Sequence, residues 1–158
     1  SESGILGPFA SGGLSIRGNI VSPKRPGSNT EAIQEGYNLE LITGRPAAPH
    51  FHSWTHYSWQ SQEMWPDLYV QIHPTTAENL GVKDGALVSI ESRHGSIHAR
   101  AWLYKGMRPT SVFIPIGWGE RQPFSKWNSV NFLTDKTQRD PISEQTNLKS
   151  LLCRVKPI

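Results

Sequence analysis

The sequence predicts a mostly-β barrel, and three observations lead to this fold class. Short apolar runs rich in Val, Ile and aromatic residues recur along the chain, separated by Gly and Pro. The 158 residues include 14 Gly and 12 Pro, a content that disfavours long uninterrupted helices. Strands and helices show no regular alternation, so the sequence does not indicate a doubly wound α/β sheet.

Alternating apolar residues predict about six strands. They fall at 39–42, 68–72, 86–91, 96–104, 111–116 and 151–155. Between the second and third strands, Thr75 and Glu78 stand at capping-box spacing and Gly81 is placed as a C-terminal cap. This spacing predicts a helix of about two turns. A further apolar run at 130–134 precedes the last strand.

Residues 1–37 differ in composition from the rest of the chain. They are rich in Gly, Ser and Pro and carry few periodic hydrophobic residues, which is typical of a tail or of a connection between domains. Within them, residues 14–21 alternate well enough for an edge strand, although a mobile segment explains the pattern equally well. We therefore expect the barrel domain to span residues 38–158.

Size, charge and cysteine content exclude several classes of protein. A mass of 17.7 kDa leaves little room for a second hydrophobic core. The single cysteine, Cys153, excludes an internal disulfide, a four-cysteine iron–sulfur site and a Cys-rich zinc site. Because Cys153 lies in an apolar run, we expect it to be buried and unreactive. The formal net charge of +3 permits an anionic ligand without indicating nucleic acid.

The densest group of chemically active side chains lies at 49–59, which holds three of the six His and two of the six Trp. In an extended segment His50, His52 and His56 share one face and resemble a metal-ligand run. A second interpretation is that imidazole, hydroxyl and aromatic groups together bind an anion and a planar heterocycle. A third interpretation is aromatic packing beneath a long loop.

A resemblance emerges from motifs in a fixed order. Thr43-Gly44-Arg45 ends the first strand, and His50-Phe51-His52-Ser53 follows after a four-residue spacer. Segments at 70–74, 77–85, 130–134, 140–143 and 148–149 follow in the same order. Together they resemble the C-terminal molybdopterin-dinucleotide-binding domain of the dimethyl sulfoxide reductase family over about residues 38–156. That family includes formate dehydrogenases, nitrate reductases and related molybdenum or tungsten oxidoreductases. Its usual motif has a three-residue spacer, with Trp and Thr where this chain has Phe51 and Ser53.

The resemblance implies a fold, a cofactor and a set of site residues. The fold is a six-stranded double-psi β-barrel with one or two short helices. The cofactor is bis(molybdopterin guanine dinucleotide), whose phosphates suit a planar Arg fork and whose pterin edge suits an Asn amide. The implied cofactor-binding residues are Thr43, Gly44 and Arg45 at the dinucleotide, His50, His52, Ser53 and Thr55 at pterin or phosphate, Trp118 in a stacking or funnel-lining position, Asn131 at a pterin edge, and Lys149 near an anionic group. For Trp118, a core aromatic at a barrel end is an equally good interpretation.

The resemblance also implies that the chain works as part of something larger. The metal in this family is held by a residue of a separate domain, so we expect no metal ligand and no turnover from this chain alone. Its expected partners are the remaining domains or a large subunit of the oxidoreductase, with no nucleic acid. The alternative function is a stand-alone β-barrel interaction module that binds a protein or nucleic acid through its Trp-rich loop.

Neither a signal peptide nor a membrane span is expected from the sequence. Ser1 to Gly4 carry no basic segment, and no stretch of about 18 apolar residues occurs. These features predict a cytoplasmic location, or a periplasmic one if the parent enzyme is exported.

Overall fold

The computed structural model describes residues 30–46, 56–119, 126–137, 139, 143–149 and 151–158. The strands in this part of the chain are β1 (Leu39–Gly44), β2 (Tyr69–Ile72), β3 (Leu87–Ser92), β4 (Gly95–Leu103), β5 (Ser111–Pro115) and β6 (Leu151–Pro157). The helices are α1 (Thr30–Gln34), α2 (Trp59–Met64), α3 (Pro74–Leu80) and the 3-10 helix η1 (Val130–Leu133). The strand considered at 14–21 lies outside the described residues.

The six strands close into a barrel in the order β1-β5-β2-β4-β3-β6. The pairs β1/β5 and β2/β4 are parallel, and the other four pairs are antiparallel. Parallel neighbours require a crossover connection, so the chain crosses the barrel rather than running up and down around it. The predicted mostly-β fold, with a closed six-stranded barrel, is confirmed.

The residues whose alternating hydrophobicity predicted the strands also alternate between buried and partly exposed positions. Inward-facing residues of β1, such as Leu41, and of β3, such as Ile90, are fully buried, while their neighbours are partly exposed. On β6, Cys153 is fully buried, and this burial raises the pKa of its thiol to about 12 because the thiolate has no solvent. The expected burial of the cysteine is confirmed, and its low reactivity stays a prediction.

Helix α3 forms where the sequence predicted a helix, but its N-terminus is capped differently. The N-cap is His73, whose Nδ1 accepts a hydrogen bond from the Thr75 N–H at 3.2 Å. Pro74 occupies the first helical position, where its fixed φ is favourable and its missing N–H costs nothing. The predicted capping box at Thr75 is therefore wrong, whereas Gly81 is the C-cap as expected, with φ of +68°.

The residues that follow helix α1, a helix that the sequence did not predict, are attached to the barrel. Arg93 at the β3–β4 turn makes two hydrogen bonds to the Glu35 carboxylate, at 2.8 and 3.0 Å. Arg154 on β6 donates to the Glu35 carbonyl at 3.2 Å and lies 4.8 Å from the centre of the Tyr37 ring. These contacts fix the position from which the chain enters β1. No helix in the described ranges is long and apolar enough to cross a bilayer.

Strand direction divides the barrel into two ends. Strands β1, β3 and β5 run one way, and β2, β4 and β6 run the opposite way. The strands β1, β3 and β5 end at Gly44, Ser92 and Pro115. These three residues therefore lie at the same end of the barrel as the first residues of β2, β4 and β6. We call this the upper end, and α3 and its following turn belong to the lower end.

Candidate functional site

The end of β1 is joined to residues that lie more than a hundred positions later. The N–H and hydroxyl of Thr43 both donate to the Leu148 carbonyl, at 3.0 and 2.9 Å. In return, the Lys149 ammonium donates to the Thr43 carbonyl at 2.5 Å. Thr43 is only 1% exposed, and its side chain is used within the protein to bind the Leu148 carbonyl, while its own carbonyl holds Lys149 at the upper end.

Gly44 lets the Lys149 ammonium approach the backbone. A Cβ at this position would lie 3.2 Å from Lys149 Nζ and 3.1 Å from Phe113 Cε2, both tighter than ordinary contacts. The Gly44 carbonyl accepts from the Ile116 N–H at 2.7 Å, which extends the β1/β5 pairing past the strand ends. The Lys149 ammonium therefore lies directly against main chain at the end of two parallel strands.

Two cationic side chains lie at the end of β1. Arg45 is exposed and directly follows Gly44, and Lys149 is also exposed. Among the described residues, Lys149 makes no ion pair with a carboxylate. A guanidinium and an ammonium at one barrel end, next to the Gly44 backbone, have the donor chemistry to hold phosphate oxygens.

A second close approach lies at the end of β5. Gly117 has φ of +126°, and a Cβ there would overlap the His56 ring, with Cδ2 at 2.8 Å. His56 is 3% exposed and packs edge-on against Trp118, with ring centres 4.2 Å apart. Trp118 is itself 5% exposed and also contacts Tyr69, with ring centres 6.0 Å apart. This burial favours the core-aromatic interpretation of Trp118.

Asn131 lies on η1, where the sequence showed only an apolar run. Its N–H donates to the Ser129 hydroxyl at 3.3 Å, and its carbonyl accepts from the Thr134 hydroxyl at 2.9 Å. Its side chain is exposed, and the carboxamide has no hydrogen-bond partner within the described segments. The backbone of Asn131 is thus fixed while its amide remains able to donate and accept.

The structure brings the described site residues to one end of the barrel. Thr43, Gly44 and Lys149 are in mutual contact, and Arg45 follows Gly44. Trp118 follows β5, which ends there, and Asn131 lies on η1, which contacts Gly95 at the start of β4. The predicted residues His50, His52, Ser53 and Thr55 lie outside the described residues. Sequence reasoning missed Phe113, whose ring contacts Gly44 across the β1/β5 pair, because alternation alone does not reveal which strands are neighbours.

Of the three histidines in the metal-site interpretation, only His56 lies within the described residues. His56 packs against Trp118, whereas His50 and His52 are outside the described residues. In the part of the chain that the structure describes, no group of three or more His, Cys, Asp or Glu residues could hold a metal ion.

Comparison with known proteins connects this geometry to a family. Residues 39–152 match the family described as "Molydopterin dinucleotide binding domain". The assimilatory nitrate reductase catalytic subunit of Bacillus subtilis is 32% identical over 139 residues, which are 87% of this chain and 19% of that protein. The putative formate dehydrogenase YrhE of the same organism is 30% identical over 124 residues, 75% of this chain and 12% of that protein.

A third relative and a solved structure extend the comparison. Dopamine dehydroxylase of Eggerthella lenta is 32% identical over 143 residues, 85% of this chain and 14% of that protein. Acetylene hydratase from Pelobacter acetylenicus has the same fold, with a TM-score of 0.75 and 20% identity over 95% of this chain and 22% of that chain. The chain thus spans less than a quarter of the length of each of these proteins. From the match over 39–152, the chain belongs to the molybdopterin dinucleotide-binding domain family.

Proposed function

We propose that the upper end of the barrel clamps the molybdopterin guanine dinucleotide of a larger molybdenum or tungsten oxidoreductase. One observation carries this proposal: the Lys149 ammonium is held against the glycine backbone at the end of β1, with no carboxylate partner among the described residues. An ammonium that is held in position in this way is suited to bind an anionic ligand. The cofactor shared by the family contains phosphates, and the residues present at the upper end fit these phosphates.

Arg45 and Lys149 would hold phosphate oxygens in two different ways. A guanidinium offers a planar fork of donors, whereas an ammonium acts as a compact point charge with three donors. Because the Thr43 carbonyl accepts only one Lys149 donor, the others can turn toward a ligand. Thr43 acts through this contact as a positioning residue, since its own hydroxyl is bonded to Leu148.

The exposed carboxamide of Asn131 would recognise the heterocycle. A pterin edge carries adjacent donors and acceptors, and an amide side chain matches such an edge with one donor and one acceptor. His50, His52, Ser53 and Thr55 remain predicted contacts to pterin or phosphate. Buried Trp118 and His56 would stiffen the floor beneath the ligand.

The chain would perform this role within a longer polypeptide or beside a large subunit. It matches only 19% of the nitrate reductase and 12% of the putative formate dehydrogenase, so the metal ligand and the substrate cavity would lie elsewhere. The bound group supplies a metal centre for electron or oxygen-atom transfer. This chain would bind and orient that group. A cytoplasmic location stays a prediction, and the sequence encoded before Ser1 would test it.

Binding of guanosine diphosphate to the purified chain tests the phosphate clamp. This probe carries the guanine and the two phosphates of the dinucleotide, and Trp fluorescence reports its binding. Lys149→Met keeps the length of the side chain and removes the charge, so the Kd should rise about tenfold or more. Lys105→Met is the matched control, because Lys105 is exposed in the turn after β4 at the lower end. Equal affinity in wild type, Lys149→Met and the control would contradict the proposal.

A further inference from the structure

The β3–β4 hairpin is packed against the helix that carries Asn131. The hairpin turns at Arg93 and His94, between the paired residues Ser92 and Gly95. The buried Ser92 hydroxyl donates to the Leu133 carbonyl at 2.9 Å and accepts from the His94 N–H at 3.1 Å. One hydroxyl thus fixes both the turn of the hairpin and the end of η1.

Gly95 makes the approach of η1 possible. A Cβ at Gly95 would lie 2.6 Å from the Phe132 carbonyl oxygen and 3.5 Å from its carbonyl carbon. Because the obstacle is backbone, no side-chain rotation could relieve the overlap, and η1 itself would have to move. The φ of Gly95 is not positive, so close packing rather than turn geometry accounts for glycine here.

Contacts at the far side of η1 hold it in the same place. His94 Nε2 lies 3.7 Å from Oδ2 of Asp135, which is 8% exposed. The other Asp135 carboxylate oxygen accepts from the N–H and the hydroxyl of Thr137, at 2.7 and 2.6 Å. The segment that leaves η1 is therefore attached to the hairpin as well.

We infer that the β3–β4 hairpin is the positioning element of Asn131, with Gly95 and Ser92 setting the place from which its carboxamide reaches a ligand. These residues touch no ligand themselves and act through η1. The hairpin would explain how a single-turn 3-10 helix, which is weak in isolation, holds a recognition residue in one place. The role in ligand binding rests on the function proposed above, whereas the packing does not.

Hydrogen exchange of backbone amides tests the packing without any ligand. In Gly95→Ala and in the milder Ser92→Ala, the Phe132 and Thr134 amides should exchange about tenfold faster, the factor that corresponds to one lost hydrogen bond. Amides in the β1/β5 pair should keep their protection. Gly81→Ala at the lower end is the control for general destabilisation, since its φ of +68° strains an Ala that meets nothing within 4 Å. Unchanged exchange at Phe132 and Thr134 would overturn the inference.

A binding cycle then tests the link to recognition, with the free pterin 2-amino-4-oxopteridine as the probe. Gly95→Ala and Asn131→Ala should each weaken binding about tenfold, and the double variant should be no weaker than Asn131→Ala. If the two losses of affinity are independent, so that their fold-changes multiply in the double variant, the positioning role is overturned. If wild type and Asn131→Ala bind pterin equally, the proposed recognition by Asn131 fails, and the exchange result still decides whether the hairpin holds η1.

Discussion

Replacing Gly117 by Ala should weaken the upper end of the barrel more than any neighbouring glycine substitution. The φ of +126° is unfavourable for a residue with a Cβ, and the added Cβ would overlap the buried His56 ring. His56 cannot swing away freely, because its ring packs on Trp118 at 4.2 Å and its carbonyl accepts from the Gln62 side chain at 2.5 Å.

The two effects give the size of the loss. A non-glycine residue in a sparsely populated backbone region costs about 1–3 kcal/mol. Forcing one extra carbon into a packed site costs about 1–3 kcal/mol. Gly117→Ala should therefore lower the free energy of unfolding by about 2–6 kcal/mol. For a chain of this size that corresponds to a fall in Tm of about 4–24 °C.

Gly119→Ala is the matched control, two residues further along the same loop. A Cβ at Gly119 would lie 3.7 Å from the Ser129 Cβ, an ordinary contact, so its free energy of unfolding should change by no more than about 0.5 kcal/mol. Thermal unfolding followed by circular dichroism compares the two variants. In a His56→Ala background, the cost of Gly117→Ala should shrink by at least about 1 kcal/mol, because the overlapping ring is gone. Equal Tm values for the two glycine variants, or no relief from His56→Ala, would refute the reasoning.

Two further predictions concern titratable groups. Hydrogen bonds from Lys156 and then Arg154 hold the pKa of Glu91 below its ordinary value, so its contribution to stability is complete above that value and is lost as the pH falls through the lowered pKa. Glu91→Gln should thus cost about 0.5–1 kcal/mol at pH 7 and nothing near pH 2, measured by urea unfolding, and a pH-independent cost would contradict this origin. Burial raises the pKa of Cys153 to about 12, so the native thiol should resist a maleimide reagent at pH 8 and react only after unfolding. Labelling of the native protein at the rate of a free thiol would exclude the buried position.

Local pattern was enough to predict the strands but not their neighbours. Residues 39–42 and 151–155 alternate in the sequence because they alternate in burial, and both are strands. The run at 130–134 was ambiguous, since a short apolar run fits either a strand or a helix. The signal that resolves it is Ser129, whose hydroxyl caps η1. At α3, the overlooked signal is Pro74, which places the helix start two residues earlier than a capping box at Thr75 would.

The site could be predicted in its residues but not in its contacts. Thr43 and Lys149 were both expected to meet the ligand, yet nothing local indicates that Thr43 holds Lys149 across more than a hundred residues. That contact depends on the barrel order, which places β6 beside β1. The same holds for Gly95 and Phe132, which meet only because the β3–β4 hairpin reaches the upper end.

The glycines of the barrel serve two different purposes, turn formation and close packing. At the lower end, Gly81 and Gly85 have φ of +68° and +74°, and a Cβ added at either position would meet nothing within 4 Å, so they are needed only for the shape of the turn. At the upper end, Gly44, Gly95 and Gly117 each face an atom that would lie closer than 3.4 Å to a Cβ. Bringing the Lys149 ammonium, the helix that carries Asn131 and the buried His56 imidazole onto one rim requires main chain without side chains there. At these three positions glycine is therefore needed for close packing, as it is at Gly106 at the lower end, where a Cβ would lie 2.6 Å from the Tyr104 ring, whereas at Gly81 and Gly85 the chain simply turns.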